Sequence, residues 1–132
     1  MNEAGYIRRI HGKLNCYVWK IHTTMQKGKL DCFYAWGPRH LWIEYKYIKY
    51  TPRTINLSRL LTPLQHEEIK THIRTKQPCL IVVGTPDGGY LFEAHQHNQC
   101  HAVSNEDLIS DNTLICSIYG ALQFFNPPGD SE

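Results

Sequence analysis

Two apolar segments with a period of two residues, separated by a turn, constrain this chain more than any other feature. Leu30, Cys32, Tyr34 and Trp36 alternate with Asp31, Phe33 and Ala35, and Leu41, Ile43, Tyr45 and Tyr47 alternate with Trp42, Glu44, Lys46 and Ile48. Period two belongs to β-strands, whose successive side chains face opposite sides. Gly37-Pro38-Arg39-His40 reads as the turn between them. The chain is therefore expected to fold around an antiparallel hairpin. Residues two apart project together, so Glu44 and Lys46 share a face, and the hairpin brings Asp31 within reach of both.

Each of these residue types has a chemical reason to be there. Carboxylates are hard oxygen ligands suited to Mg²⁺ or Mn²⁺, ions that polarise a phosphate and acidify a bound water. Asp31 and Glu44 are the candidate metal ligands, with the Tyr45 carbonyl as a further oxygen. Lys46 is the candidate for orienting the attacking water or offsetting transition-state charge. On its own, one Asp with one Glu-x-Lys is also what an exposed cross-strand ion pair looks like.

The rest of the chain supplies a helical and strand frame. Asn2 is placed to cap a helix through Glu3, Tyr6, Ile7, Ile10 and Leu14 that ends near Gly12 or Asn15. Cys16 to Thr23 reads as a strand, and Gln26-Lys27-Gly28 as a turn into the Asp31 segment. Thr62 caps and Pro63 opens a second helix with Leu64, Ile69 and Ile73 buried, ended by Pro78. His66, Glu67 and Glu68 fall on its solvated side. Cys79 to Val83 reads as a strand buried on both faces, and Thr85-Pro86-Asp87-Gly88-Gly89 turns into Tyr90-Leu91-Phe92-Glu93. Residues 105–125 read as partly helical, with Leu108, Ile109, Leu114, Ile115, Ile118, Leu122 and Phe125 as core or dimer contacts. The order helix, three strands, helix, two strands, helix predicts an α/β domain whose mixed central β-sheet is flanked by helices. A single domain over 1–125 and a disordered tail over 126–132 are expected.

Composition bounds the function. At 132 residues and 42% hydrophobic content, one core suffices, and a domain of this size buries roughly two thirds of its unfolded surface. There is no run of about eighteen apolar residues and no secretory-type start, so a soluble, cytoplasmic protein with no membrane partner is expected. Five scattered cysteines without a Cys-x-x-Cys pair predict reduced, mostly buried thiols. A formal charge of +2 is too mild to demand nucleic acid, so the distribution of charge has to carry that point. Tyr45 to Arg53 interleaves cations with aromatics straight after the candidate site, and Arg8, Arg9, Lys13, Lys20, Lys27 and Lys29 lie upstream. Lys29, Lys49, Arg53 and Tyr47 are the candidate DNA contacts, the cations for phosphates and the tyrosine for stacking.

Asp31, twelve intervening residues and Glu44-x-Lys46, on consecutive predicted strands behind an N-terminal helix, resemble the core of the PD-(D/E)XK nuclease superfamily. Leu61-Thr62-Pro63-Leu64-Gln65 resembles the segment that, in the VRR-NUC and Holliday-junction-resolvase-like branches, opens the next helix with a Gln near the metal. The resemblance spans roughly Glu3 to Phe92. Leu30 departs from it, standing where the family usually has a turn-forming Pro that binds no metal. The resemblance implies a restriction-endonuclease-like core and an Mg²⁺- or Mn²⁺-dependent endodeoxyribonuclease, with junction, flap and nick all open as substrates. It also implies roles for Gln65 near the scissile phosphate or metal water and for Glu3 as the helix glutamate that completes the acidic cluster, a homodimer, and the phage or mobile-element setting of small free-standing members, acting in the host cytoplasm. Glu3 is the only acidic residue before Asp31, but it also suits a helix N-terminus through the dipole.

Two other classes stay open. One is a nuclease-fold protein that binds nucleic acid without cutting it. The other is a small zinc-dependent interaction protein organised by His95, His97, Cys100 and His101, which have zinc-ligand chemistry but not the two-knuckle spacing of structural zinc sites; a polar loop is the plainer reading. A Gly-x-Ser-x-Gly hydrolase elbow is absent from the sequence.

Overall fold

The computed structural model describes residues 1–20 and 30–124. The order is α1 (Glu3–His11), β1 (Tyr17–Lys20), β2 (Cys32–Trp36), β3 (Arg39–Tyr47), β4 (Thr54–Asn56), α2 (Leu57–Leu60), α3 (Pro63–Arg74), β5 (Cys79–Thr85), β6 (Gly88–Glu93), β7 (Cys100–Ala102) and α4 (Asp111–Phe124). A five-stranded sheet has the order β1-β2-β3-β5-β6, and β4 and β7 form a separate two-stranded sheet. All neighbours in the large sheet are antiparallel except β3 and β5. A parallel pair needs a crossover, and here β4, α2 and α3 supply it. The expected mixed α/β architecture is the observed one.

Local chemistry explains most boundaries. The Asn2 side chain accepts from the Gly5 N–H at 2.8 Å and starts α1. β2 and β3 pair as far as Trp36 opposite Arg39, so the expected four-residue turn tightens to Gly37-Pro38. Gly37 has φ +64°, which suits a two-residue hairpin loop whose first position has positive φ. Thr62 and Gln65 close a capping box around Pro63 at the start of α3.

Two cores lie on opposite faces of the sheet. On one, Tyr6, Ile7 and Ile10 of α1 and Leu114, Ile118 and Leu122 of α4 pack on Cys32, Tyr34, Leu41, Ile43, Tyr45, Leu80 and Val82. Tyr6 lies over Gly84 and Gly89, which pair across β5 and β6, and a Cβ on Gly84 would stand 2.8 Å from its ring. Arg9 ties α1 to α4 through both carboxylate oxygens of Asp111, at 2.7 and 3.2 Å. On the other face, Ile69 of α3 packs with Leu57, Leu61, Ile55, Ile81, Val83, Tyr90 and Phe92.

Several expectations change. Only Ile69 of the three apolar positions expected to be buried on α3 is so; Leu64 is 55% and Ile73 44% exposed. The inward stripe is Gln65, Ile69 and His72, and His72 meets Trp42 edge-on with ring centroids 5.5 Å apart. A polar histidine thus occupies a position that a count of apolar residues gives to its neighbour. Of the five thiols, Cys32 and Cys79 are buried, Cys16 is intermediate, and Cys100 and Cys116 are exposed. The strand expected over Cys16 to Thr23 appears as Tyr17–Lys20, while the turn at 26–28, Lys29, Phe125 and the expected tail lie outside the described residues. Among the described residues no helix is long and apolar enough to cross a membrane.

Candidate active site

β3 carries the site. Tyr45 turns into the α1/α4 core, while Glu44 and Lys46 face the α3 side with Trp42 and Ile48. Glu44 is 1% exposed and Lys46 is half-buried. The last pair of the β2–β3 ladder is Cys32 with Ile43. Beyond it the backbone bends at Asp31, and Leu30 packs into the α3-side core and not beside Cys32 as strict alternation predicts. The bend puts the Asp31 carboxylate where the next ladder partner of β3 would stand, and Asp31 Oδ2 accepts from the Tyr45 N–H at 3.0 Å. A strand residue presents its N–H and C=O to the same side, so the Tyr45 carbonyl opens toward Asp31 as well.

Gln65 arrives from α3. Its Nε2 donates to Glu44 Oε2 at 2.9 Å, and its Oε1 accepts from the Thr62 N–H at 2.9 Å. The capping box therefore orients a site residue. The other Glu44 oxygen, Oε1, is buried with no hydrogen-bond partner. Burial first, then the Asp31 carboxylate, push the Glu44 carboxyl well above the ordinary carboxylate range; Lys46 opposes this, and Glu3 adds to it. Glu3 lies half-buried in the first turn of α1 and so acts on Glu44 through its charge. Among the described residues no three His, Cys, Asp or Glu side chains gather as a metal-holding group. Asp31 and Glu44 stand as a carboxylate pair, with the Glu3 charge adding to the field at Glu44.

Beneath the site runs a buried chain that sequence reading missed. Tyr45 Oη and Tyr34 Oη lie 2.5 Å apart, and Tyr34 Oη lies 2.8 Å from His11 Nε2. It anchors the residue between Glu44 and Lys46 from the opposite face of the sheet. Tyr34 and Tyr45 carry only an apolar signal in sequence, and their register across the hairpin is what joins them.

Of the candidate DNA contacts, Lys49 and Arg53 are exposed, whereas Tyr47 is half-buried with its ring centroid 5.9 Å from that of Tyr6. The candidate zinc ligands separate. His95 Nδ1 is 3.3 Å from Glu93, His101 packs on the Phe92 ring, and Cys100 is exposed. His97 is buried and its Nδ1 lies 2.8 Å from Nδ1 of His66. His66 is therefore not on a solvated face as expected. Its Nε2 lies 3.0 Å from the Ser58 carbonyl, which can only accept, so in the neutral pair His97 donates to His66.

By sequence the chain matches no protein-family model and no curated protein. By structure it is similar to Archaeoglobus fulgidus Hjc, a Holliday junction resolvase from an archaeal hyperthermophile, with a TM-score of 0.58 at 13% identity over 92% of this chain and 97% of that one. The fold is restriction-endonuclease-like. In this restriction-endonuclease-like frame the hairpin β2–β3 and the start of α3 carry Asp31, Glu44, Lys46 and Gln65, and β5 supports β3 from the other side.

Proposed function

We propose that this chain is a metal-dependent endonuclease that hydrolyses phosphodiester bonds in DNA, with branched DNA as its substrate class. The supporting observation is the buried Glu44 carboxyl, beside Asp31 and gripped by Gln65, with one oxygen that accepts no hydrogen bond. Burial beside Asp31 makes Glu44 hold its proton well above the ordinary carboxylate range, and carboxyls perturbed in this way cluster at functional sites. The donor set fits Mg²⁺ or Mn²⁺: Asp31, Glu44 and the Tyr45 carbonyl are hard oxygens, and Glu3 is an outer carboxylate. When bound, such an ion polarises a phosphoryl oxygen and supplies an acidified water.

The chain's own residues do the rest. Lys46, on the Glu44 face, orients the attacking water and offsets charge that builds on the phosphoryl oxygens. Gln65 fixes the Glu44 carboxylate and holds a polar side chain beside the scissile phosphate. Lys49 and Arg53 make phosphate contacts, as would Lys29, and Tyr47 lines a pocket with Lys49. The likeness to Hjc, a Holliday junction resolvase, supports branched DNA over plain duplex.

Incubating the protein with Mg²⁺ or Mn²⁺ and a panel of linear, nicked, flapped and four-way DNA tests this. Cleavage that needs the divalent ion and favours the branched forms is expected. Binding across the panel with no cut by either ion would instead mark a nuclease-fold binding protein.

A further inference from the structure

Past Lys46 the same strand face runs into a groove of about 320 Å³, whose lining includes Ile48, Tyr50, Ile55, Asn56, Arg59 and Leu60. Ile48 continues the period-two row of Glu44 and Lys46, and its N–H still bonds Gly84 of β5 at 2.9 Å. Its Cα therefore lies about 7 Å from that of Lys46, a distance that one nucleotide step spans when its base has left the stack.

The groove is preformed. Thr51 Oγ1 donates to Asp87 Oδ2 at 2.5 Å, the Arg53 carbonyl accepts from Val103 N–H at 2.9 Å, and β4 pairs with β7 along Thr54–Asn56. Its chemistry is specific as well. Ile48, Ile55 and Leu60 give an apolar floor, Tyr50 is 68% exposed at the rim, and none of the lining residues is acidic. Arg59 is exposed. Asn56 caps α2 without a side-chain hydrogen bond to the helix, and its Oδ1 is buried with no partner. An exposed aromatic ring, an amide with unused hydrogen-bonding capacity and a cation over an apolar floor are the groups that take an unpaired nucleobase, by stacking and edge recognition with a phosphate contact alongside.

We infer that the β3–β4 groove holds one unpaired nucleobase of the DNA strand next to the scissile phosphate, with Tyr50 stacking on it, Asn56 bonding its edge and Arg59 contacting the backbone. This rests on the nuclease reading above and gives it a cause for structure specificity. A continuous duplex has no base to offer, whereas a bulge, flap base or branch point does.

The test uses the whole protein without divalent ion, so that nothing is cut. Duplexes with 2-aminopurine either in a one-base bulge or in a continuous, paired strand are titrated with protein while fluorescence and affinity are read. The wild type is expected to quench the bulged probe on binding and to leave the paired one unchanged. Tyr50→Ala should remove the quench and weaken bulge binding about tenfold, Tyr50→Phe should retain both, and continuous-duplex affinity should be the same in all three. Asn56→Leu should weaken bulge binding while leaving the quench in the residual complex. Equal quench and affinity in wild type and Tyr50→Ala would overturn the groove assignment and leave the nuclease reading standing. If the wild type binds neither duplex, the groove assignment is overturned, and the nuclease reading is decided separately by the metal-dependent cleavage panel.

Discussion

Gln65 and Glu44 are joined by a 2.9 Å hydrogen bond from Nε2 to Oε2, made by the same side chain whose Oε1 caps α3 at Thr62. Cap and site are thus one unit. Gln65→Ala should cost about 1 kcal/mol of stability through the lost cap and slow cleavage roughly 10- to 100-fold by leaving Glu44 unoriented. Gln65→Glu keeps a side chain able to close the box but adds a carboxylate beside Glu44. Its metal-free melting temperature should drop at pH 8 relative to wild type and match it near pH 4; equal melts at both pH values would show that Gln65 and Glu44 are uncoupled.

Lys46→Ala should lower the cleavage rate by about 10² to 10³ with an unchanged circular dichroism spectrum and nearly unchanged DNA affinity, because phosphate affinity is spread over many cations. Single-turnover cleavage beside a binding isotherm separates the two. A rate within threefold of wild type removes Lys46 from the chemistry.

Glu44 makes metal-free stability depend on pH. Its carboxyl is raised from 4.5 to about 10, chiefly by burial and then by Asp31. The folded state thus holds the proton more tightly than the unfolded one. Stability is full below the ordinary value near 4.5 and is lost as pH rises toward 10. In chelator, the melting temperature should fall between pH 6 and pH 8 by on the order of 5 °C. Glu44→Gln should flatten that slope, and Mn²⁺ should raise the wild-type melt but not the mutant's. A wild-type melt that climbs over this interval contradicts the assignment.

Glu3 shares the charge environment of Glu44 from the first turn of α1. Glu3→Gln should raise the Mn²⁺ concentration for half-maximal cleavage severalfold. If Glu3 only complements the helix dipole, the change is confined to about 0.3 to 1 kcal/mol of stability. A metal titration of activity beside a thermal melt decides between them.

The buried hydroxyls of Tyr34 and Tyr45 predict an unequal pair of deletions. Tyr34→Phe removes the shared partner of Tyr45 and His11, and Tyr45→Phe leaves Tyr34 with His11. Urea unfolding should show Tyr34→Phe as the costlier change, at about 2 to 3 kcal/mol against about 1 for Tyr45→Phe.

What the sequence by itself determined was local. The period-two rows at 30–48 set which side chains of β3 face which core and placed Glu44 beside Lys46. Asn2, Gly37-Pro38, Thr62 and Pro63 marked boundaries because caps and tight turns depend on φ/ψ limits and hydrogen bonds within a few residues. What only the tertiary structure decided was non-local. The bend at Asp31 sends Leu30 into the opposite core and the carboxylate to the Tyr45 N–H, a result of where β2 stops pairing with β3. His72 in place of Ile73 on the inward stripe, His66 against His97, and the β4–β7 ladder that forms the groove all depend on which surfaces the packed elements leave for one another. Periodicity fixes the direction of a side chain from its own strand or helix, but the partner it meets is fixed by register and packing across segments far apart in the chain.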